Sequence, residues 1–125
     1  MAEQPRTQYV QVGELSVAYQ VFGEGPVDLF VVPGGIWHID LLWSDPAYAE
    51  FMRRLASFAR VVVHDRPGMG ASDPCAQVPT VEDRINDLLA LMEATDSERV
   101  AMLGISEGGP TAATFAAIYP DRVLC

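Results

Sequence analysis

The segment Gly104-Ile105-Ser106-Glu107-Gly108 constrains the fold more than any other stretch of this chain. It follows an apolar run at residues 100–103 and leads into Pro110 and the small-residue stretch 111–117, a pattern that reads as strand, sharp turn and helix. A Ser at the apex of such a turn is forced into a strained backbone conformation that lifts its hydroxyl above the sheet. Glycines two positions to either side are needed because a Cβ would strike the neighbouring strand and helix. Ser106 is therefore the candidate nucleophile. The plain alternative is a Gly-rich turn whose Ser merely caps the helix; the flanking strand, the helix and two further motifs favour the first reading.

The rest of the chain alternates in the same way. Residues 9–12 and 15–21 read as short strands of a hairpin around Gly13-Glu14. Gly23-Glu24-Gly25-Pro26 breaks the chain before residues 27–32, whose nearly continuous apolar run predicts a strand buried on both faces. Tyr48, Phe51, Met52 and Leu55 fall at i, i+3, i+4 and i+7, so the spacing predicts an amphipathic helix over 46–58, with Asp45 as N-cap and Pro46 in the first turn. Residues 61–63 form a second expected buried strand. Thr80 is the expected cap of a helix in which Val81, Ile85, Leu88, Leu89 and Met92 share a face, with Asp83 three residues after the cap. Residues 99–103 read as a third buried strand and 107–119 as the last helix, while 123–125 look like the opening of another strand. The expected fold class is α/β, a mostly parallel sheet with right-handed crossovers and helices on both faces. Ligands bind such sheets at the carboxyl ends of the strands. Three loops leave those ends here, at 33–38, 64–72 and 104–109.

Composition narrows the function classes. Half of the 125 residues are apolar, enough for one domain with a real core. Eight basic against 17 acidic residues give a net charge of −9, which repels nucleic acid and anionic membranes. Residues 1–8 are polar with no apolar core of a secretory signal, and no apolar run approaches membrane-spanning length, so a cytoplasmic location is expected. Cys75 and Cys125 give neither a disulfide framework nor metal-ligand spacing, and no cofactor or metal is expected. No G-x-G-x-x-G follows the first buried strand and no G-x-x-x-x-G-K occurs, which leaves a nucleotide-binding reading without a phosphate site.

Three motifs in order and spacing carry a family resemblance: Pro33-Gly34-Gly35, Asp65-Arg66-Pro67-Gly68-Met69-Gly70-Ala71-Ser72, and the turn at 104–108. They resemble the oxyanion loop, the loop after the fourth strand and the nucleophile elbow of the α/β-hydrolase family. The chain looks like the N-terminal half of such a domain, one partial domain over residues 1–125, ending after the elbow helix. The family's oxyanion loop commonly begins with His-Gly, and Pro33 replaces the His. That departure, with residues 38–43 and the helix ending Arg53-Arg54-Leu55-Ala56-Ser57-Phe58, is most similar to the hydrolase domains found fused ahead of adenylate or guanylate cyclases.

The resemblance implies that Ser106 attacks an acyl carbon of a small-molecule substrate while the backbone N–H groups of Gly35 and Glu107 bind the oxyanion. It also implies that the acid and the His of the triad lie downstream of Cys125, so the chain alone is expected to be inactive. Neither His38 nor His64 matches the position of the base: His38 is expected as a structural or pocket-rim residue, and His64 as a group holding its neighbouring loop. Asp65 is expected to anchor the glycine turn. Trp37, Trp43 and Met69 either line a substrate pocket or pack the 46–58 helix against the sheet. Glu107 either orients a nearby group or answers the general preference of a helix N-terminus for a carboxylate. Two functions follow, a serine hydrolase of ester or related acyl substrates and a non-catalytic ligand-sensing domain associated with a cyclase. An uncovered apolar sheet edge at the end of the chain further predicts either a missing C-terminal half or self-association through that edge.

Overall fold

The structure is a computed structural model, and it describes residues 4–125; the first three residues of the polar N-terminus lie outside the described residues. Strands β1 (Gln8–Val12) and β2 (Leu15–Phe22) form the expected hairpin. They are followed by β3 (Val27–Val32), α1 (Pro46–Ala56), β4 (Ala59–His64), α2 (Val81–Ala94), β5 (Ala101–Gly104) and α3 (Gly108–Ile118). The sheet order is β1-β2-β4-β3-β5. Strands β4, β3 and β5 run parallel, while β2 joins β4 antiparallel. Among the described residues, no helix is long and apolar enough to cross a membrane.

Both helix caps follow from short-range chemistry. The Asp45 carboxylate accepts from the Ala47 amide at 2.9 Å, with Pro46 supplying a fixed φ in a turn that needs no N–H from it. At α2 the Thr80 hydroxyl accepts from the Asp83 amide and the Asp83 carboxylate accepts from the Thr80 amide, a reciprocal capping box.

The alternation of the strands divides the core in two. Leu29 and Val31 of β3 and Val61 and Val63 of β4 face one side, where they pack with Met52 of α1, Phe22 and Ile39. Phe30, Val32 and Val62 face the other, with Leu88, Leu91 and Met92 of α2 and Phe115 of α3. Each such side chain contributes about 1.5–3 kcal/mol of transfer free energy on burial, which explains why β3 and β4 read as unbroken apolar runs rather than alternating ones.

Two helix faces differ from the expected stripes. Phe51 is 45% exposed, because the buried face of α1 centres on Met52 and Ala49, about 130° around the helix from Phe51. Val81 is 48% exposed at the first position of α2, whereas Leu91 and the carboxylate of Asp87 are buried lower on the same helix. The chain end follows the expectation of a further strand opening at 123–125. Residues 122–125 run beside β5: Val100 donates to the Arg122 carbonyl at 3.0 Å, Leu124 to Val100 at 2.8 Å and Met102 to Cys125 at 2.9 Å. The outer row of the sheet therefore belongs to 123–125 and not to the elbow strand.

Candidate active site

Ser106 sits at φ 54°, in the left-handed region that a non-glycine residue occupies only under constraint, and its side chain is exposed. Three hydrogen bonds fix the bend. Ile105 donates to Val32 of β3 at 3.0 Å, Gly108 to Ile105 at 2.9 Å and Gly109 to Ser106 at 3.0 Å, so the strand turns into α3 without a linker. The flanking glycines are sterically obligatory. A Cβ on Gly108 would lie 1.9 Å from the Val32 carbonyl oxygen, and one on Gly104 would lie 2.5 Å from the Gly109 Cα.

The loop after β3 closes over the same point. A Cβ on Gly34 would meet Ser106 Cβ at 2.9 Å and stand 3.5 Å from its Oγ; one on Gly35 would stand 3.2 Å from Glu107 Oε2. The two motifs, far apart in sequence, thus touch at the carboxyl ends of adjacent strands. Among the described residues, no backbone carbonyl accepts from the amide of Gly35 or of Glu107. An opening of about 370 Å³ lies here, lined by Gly34, Gly35, Ile36, Trp37, Ile105, Ser106 and Glu107. Size does not single it out, since hollows of about 440 and 690 Å³ lie along α2 and at its C-terminal end. What distinguishes it is Ser106, exposed and held in left-handed backbone.

The other expected residues divide. Trp37 lines the opening and also stacks edge-on against Tyr48 of α1 at 5.8 Å, so it packs against the helix as well as bordering the opening. Trp43 is structural: it packs on Phe22 and Tyr48, and its Nε1 donates to the fully buried Gln20 at 2.8 Å. Met69 does not line the opening; its amide closes a turn onto the Arg66 carbonyl. His38 is likewise absent from the lining, and its Nδ1 accepts from the Asp40 and Leu41 amides at 3.3 and 3.2 Å, which assigns it the structural role. His64 is buried, and burial together with the nearby Arg66 pushes its imidazole down to about 4, so it is neutral in ordinary buffers.

Asp65 anchors the glycine turn, as expected, and does more. Its carboxylate accepts from the Ala71 amide at 2.8 Å and from the Ile39 amide at 3.1 Å, tying the loop after β4 to the end of the loop after β3. Burial raises its carboxyl above the usual range, and these amides offset part of that rise. Gly70, at φ 51°, has no room for a Cβ, which would lie 2.1 Å from Asp65 Oδ2.

Four members of the site were not singled out by the sequence. Gly34, not Gly35, packs directly against Ser106; Arg66 pairs with Glu107 Oε2 at 3.2 Å; and Ile36 and Ile105 give the opening apolar walls. The doubled glycine at 34–35 was the only signal for the first. Nothing local distinguishes Arg66 from any other loop cation.

A family model described as alpha/beta hydrolase fold matches residues 29–125. The chain belongs to that family. Within the alpha/beta hydrolases it is 32% identical over 118 residues to a 2-hydroxy-6-oxononadienedioate/2-hydroxy-6-oxononatrienedioate hydrolase of Paraburkholderia phymatum, covering 88% of this chain and 38% of that protein. It is 30% identical over 124 residues to the dihydrolipoyllysine-residue acetyltransferase component of an acetoin cleaving system of Pseudomonas putida, covering 98% of this chain and 32% of that one. A bromoperoxidase from Bacillus anthracis superposes with a TM-score of 0.78 over 94% of this chain and 42% of its own, at 21% identity, a likeness of fold. The chain thus spans about a third to two fifths of the length of these proteins.

Proposed function

We propose that this chain is the N-terminal part of a serine hydrolase acting on carboxylic esters or related acyl compounds. The observation that carries the reading is the exposed Ser106 at φ 54°, packed against the glycines of the loop after β3. In the proposed reaction Ser106 Oγ adds to the acyl carbon while its proton passes to a base. The negative charge that develops on the acyl oxygen is bound by the amides of Gly35 and Glu107, each such donor being typically worth about 3–4 kcal/mol of barrier. The leaving alcohol or thiol takes the proton, and water then releases the acid from the acyl-serine. The N-terminal end of α3, directly behind the elbow, adds a favourable dipole for the oxyanion.

His64 is buried and His38 is engaged by two amides, so the base and its acid partner are assigned to residues beyond these 125. The proposal gives this segment the electrostatic half of the site and predicts that it is inactive alone. Ile36, Trp37 and Ile105 give the acyl group apolar walls.

Exposing the full-length protein to a fluorophosphonate probe tests the reading. Labelling at Ser106, abolished in Ser106→Ala, with turnover of short acyl esters, is the expected result. An unlabelled Ser106 in a folded full-length protein overturns it and favours the alternative of a ligand-sensing domain of the same fold associated with a nucleotide cyclase.

A further inference from the structure

The residue after Ser106 is an acid placed where an acid is harmful. The Glu107 amide is one proposed oxyanion donor, yet its side-chain Oε2 lies 3.2 Å from the point where a Cβ on Gly35, the other donor residue, would stand. Both residues line the same opening. A carboxylate there opposes the negative charge that the site must gather.

One cation answers it. Arg66 Nη1 lies 3.2 Å from Glu107 Oε2, and the arginine side chain is only 13% exposed while that of Glu107 is 56% exposed. The guanidinium is thus the fixed member of the pair. Its backbone is held from both sides: Asp65 is clamped by the Ile39 and Ala71 amides, and the Arg66 carbonyl accepts from Met69. Arg66 also lines the small hollow beneath the loop after β3, with Pro33, His64 and Thr111.

We propose that Arg66 is a positioning residue for the oxyanion site: it draws the Glu107 carboxylate aside and cancels its charge, so that the amides of Gly35 and Glu107 act on the oxyanion unopposed. The proposal rests on the reading of Ser106 as nucleophile. It makes a prediction that a merely structural arginine does not. Removing the arginine should be harmful chiefly because it leaves Glu107 charged, so removing the glutamate charge as well should restore what was lost.

The experiment uses the full-length protein, steady-state turnover of a p-nitrophenyl ester and fluorophosphonate labelling. Arg66→Gln should lower kcat ten- to a hundredfold with KM changed less than about threefold, and Arg66→Gln combined with Glu107→Gln should recover at least tenfold of a hundredfold loss. Arg66→Lys keeps the charge and should stay within about fivefold of the parent kcat, with melting temperatures confirming that each variant is folded. A double variant no faster than Arg66→Gln, or an Arg66→Gln enzyme equal to the parent, overturns the proposal while leaving Ser106 labelling intact. Absence of labelling in the parent overturns the serine-hydrolase reading itself, and this inference with it.

Discussion

Two residues other than glycine adopt left-handed backbone among the described residues, Asp96 at φ 58° and Ser106 at φ 54°, and they do so for opposite reasons. Asp96 ends a helix. Its amide donates to Glu93 at 3.2 Å and the next amide, of Ser97, donates to Met92 at 2.8 Å, the pair of bonds that closes the last turn of α2 around a left-handed residue. Glycine does this best and Asp tolerates it, so the identity of residue 96 is replaceable. Ser106 begins a helix, and nothing in its local hydrogen bonding calls for a hydroxyl. There the backbone is held by its neighbours, Val32 on one side and the crowded glycines 104 and 108 on the other, and the strained residue projects an exposed hydroxyl. Similar φ values thus arise from a local helix-end turn in one case and from crowding by distant neighbours in the other.

The sharpest way to break this contrast is to truncate both side chains. Ser106→Ala in the full-length protein should lower ester turnover by roughly a thousandfold or more, with little change in melting temperature; comparable turnover in the variant would reduce the elbow to an ordinary turn. Next in size is the crowding. Gly108→Ala places a Cβ 1.9 Å from a carbonyl oxygen, and backbone must shift to admit it, so a loss of about 3 kcal/mol or more in urea unfolding is expected. A loss under about 1 kcal/mol would mean that the elbow relaxes easily and that Ser106 is not over-determined.

The helices attached to the two turns differ in charge as well. Helix α3 carries no ionisable side chain, whereas α2 buries Asp87, whose Oδ2 has no partner. Burial, with the Asp83 charge adding to it, raises the Asp87 carboxyl from its ordinary 3.8 to about 7. Burying Asp87 therefore costs nothing extra below about pH 4, where both states are protonated; the cost grows as pH rises from about 4 to 7 and is constant above that. Asp87→Asn should be more stable than the parent at pH 7.5, with the advantage shrinking by up to about 1.4 kcal/mol per pH unit on acidification toward pH 4. An advantage constant with pH would contradict this. His64 works in the reverse sense: its imidazole, pushed down to about 4, costs stability as pH falls from 6.5, and in the parent the two slopes oppose each other. The smallest effect belongs to the replaceable turn. Asp96→Gly should stabilise by about 0.5–1 kcal/mol without altering turnover, and a destabilisation would show that the aspartate side chain holds the turn.

Much of this was readable in order along the chain. Both caps, the double-sided burial of β3 and β4, and the strand-turn-helix at 104–108 are encoded within a few residues, because hydrogen bonds from Asp45 or Thr80 and the period of an apolar run need no distant partner. The family resemblance rested on those same local motifs. What only the tertiary structure decided are pairings between loops. Gly34 rather than Gly35 meets Ser106, and Arg66 finds Glu107. Gln20 joins Trp43 to Asp40. Phe51 and Val81 lie outside the stripes their spacing predicts, since the sheet selects which side of each helix it covers. A residue's own conformation is set by near neighbours, but whom it touches depends on strand order and loop closure, which are properties of the whole chain.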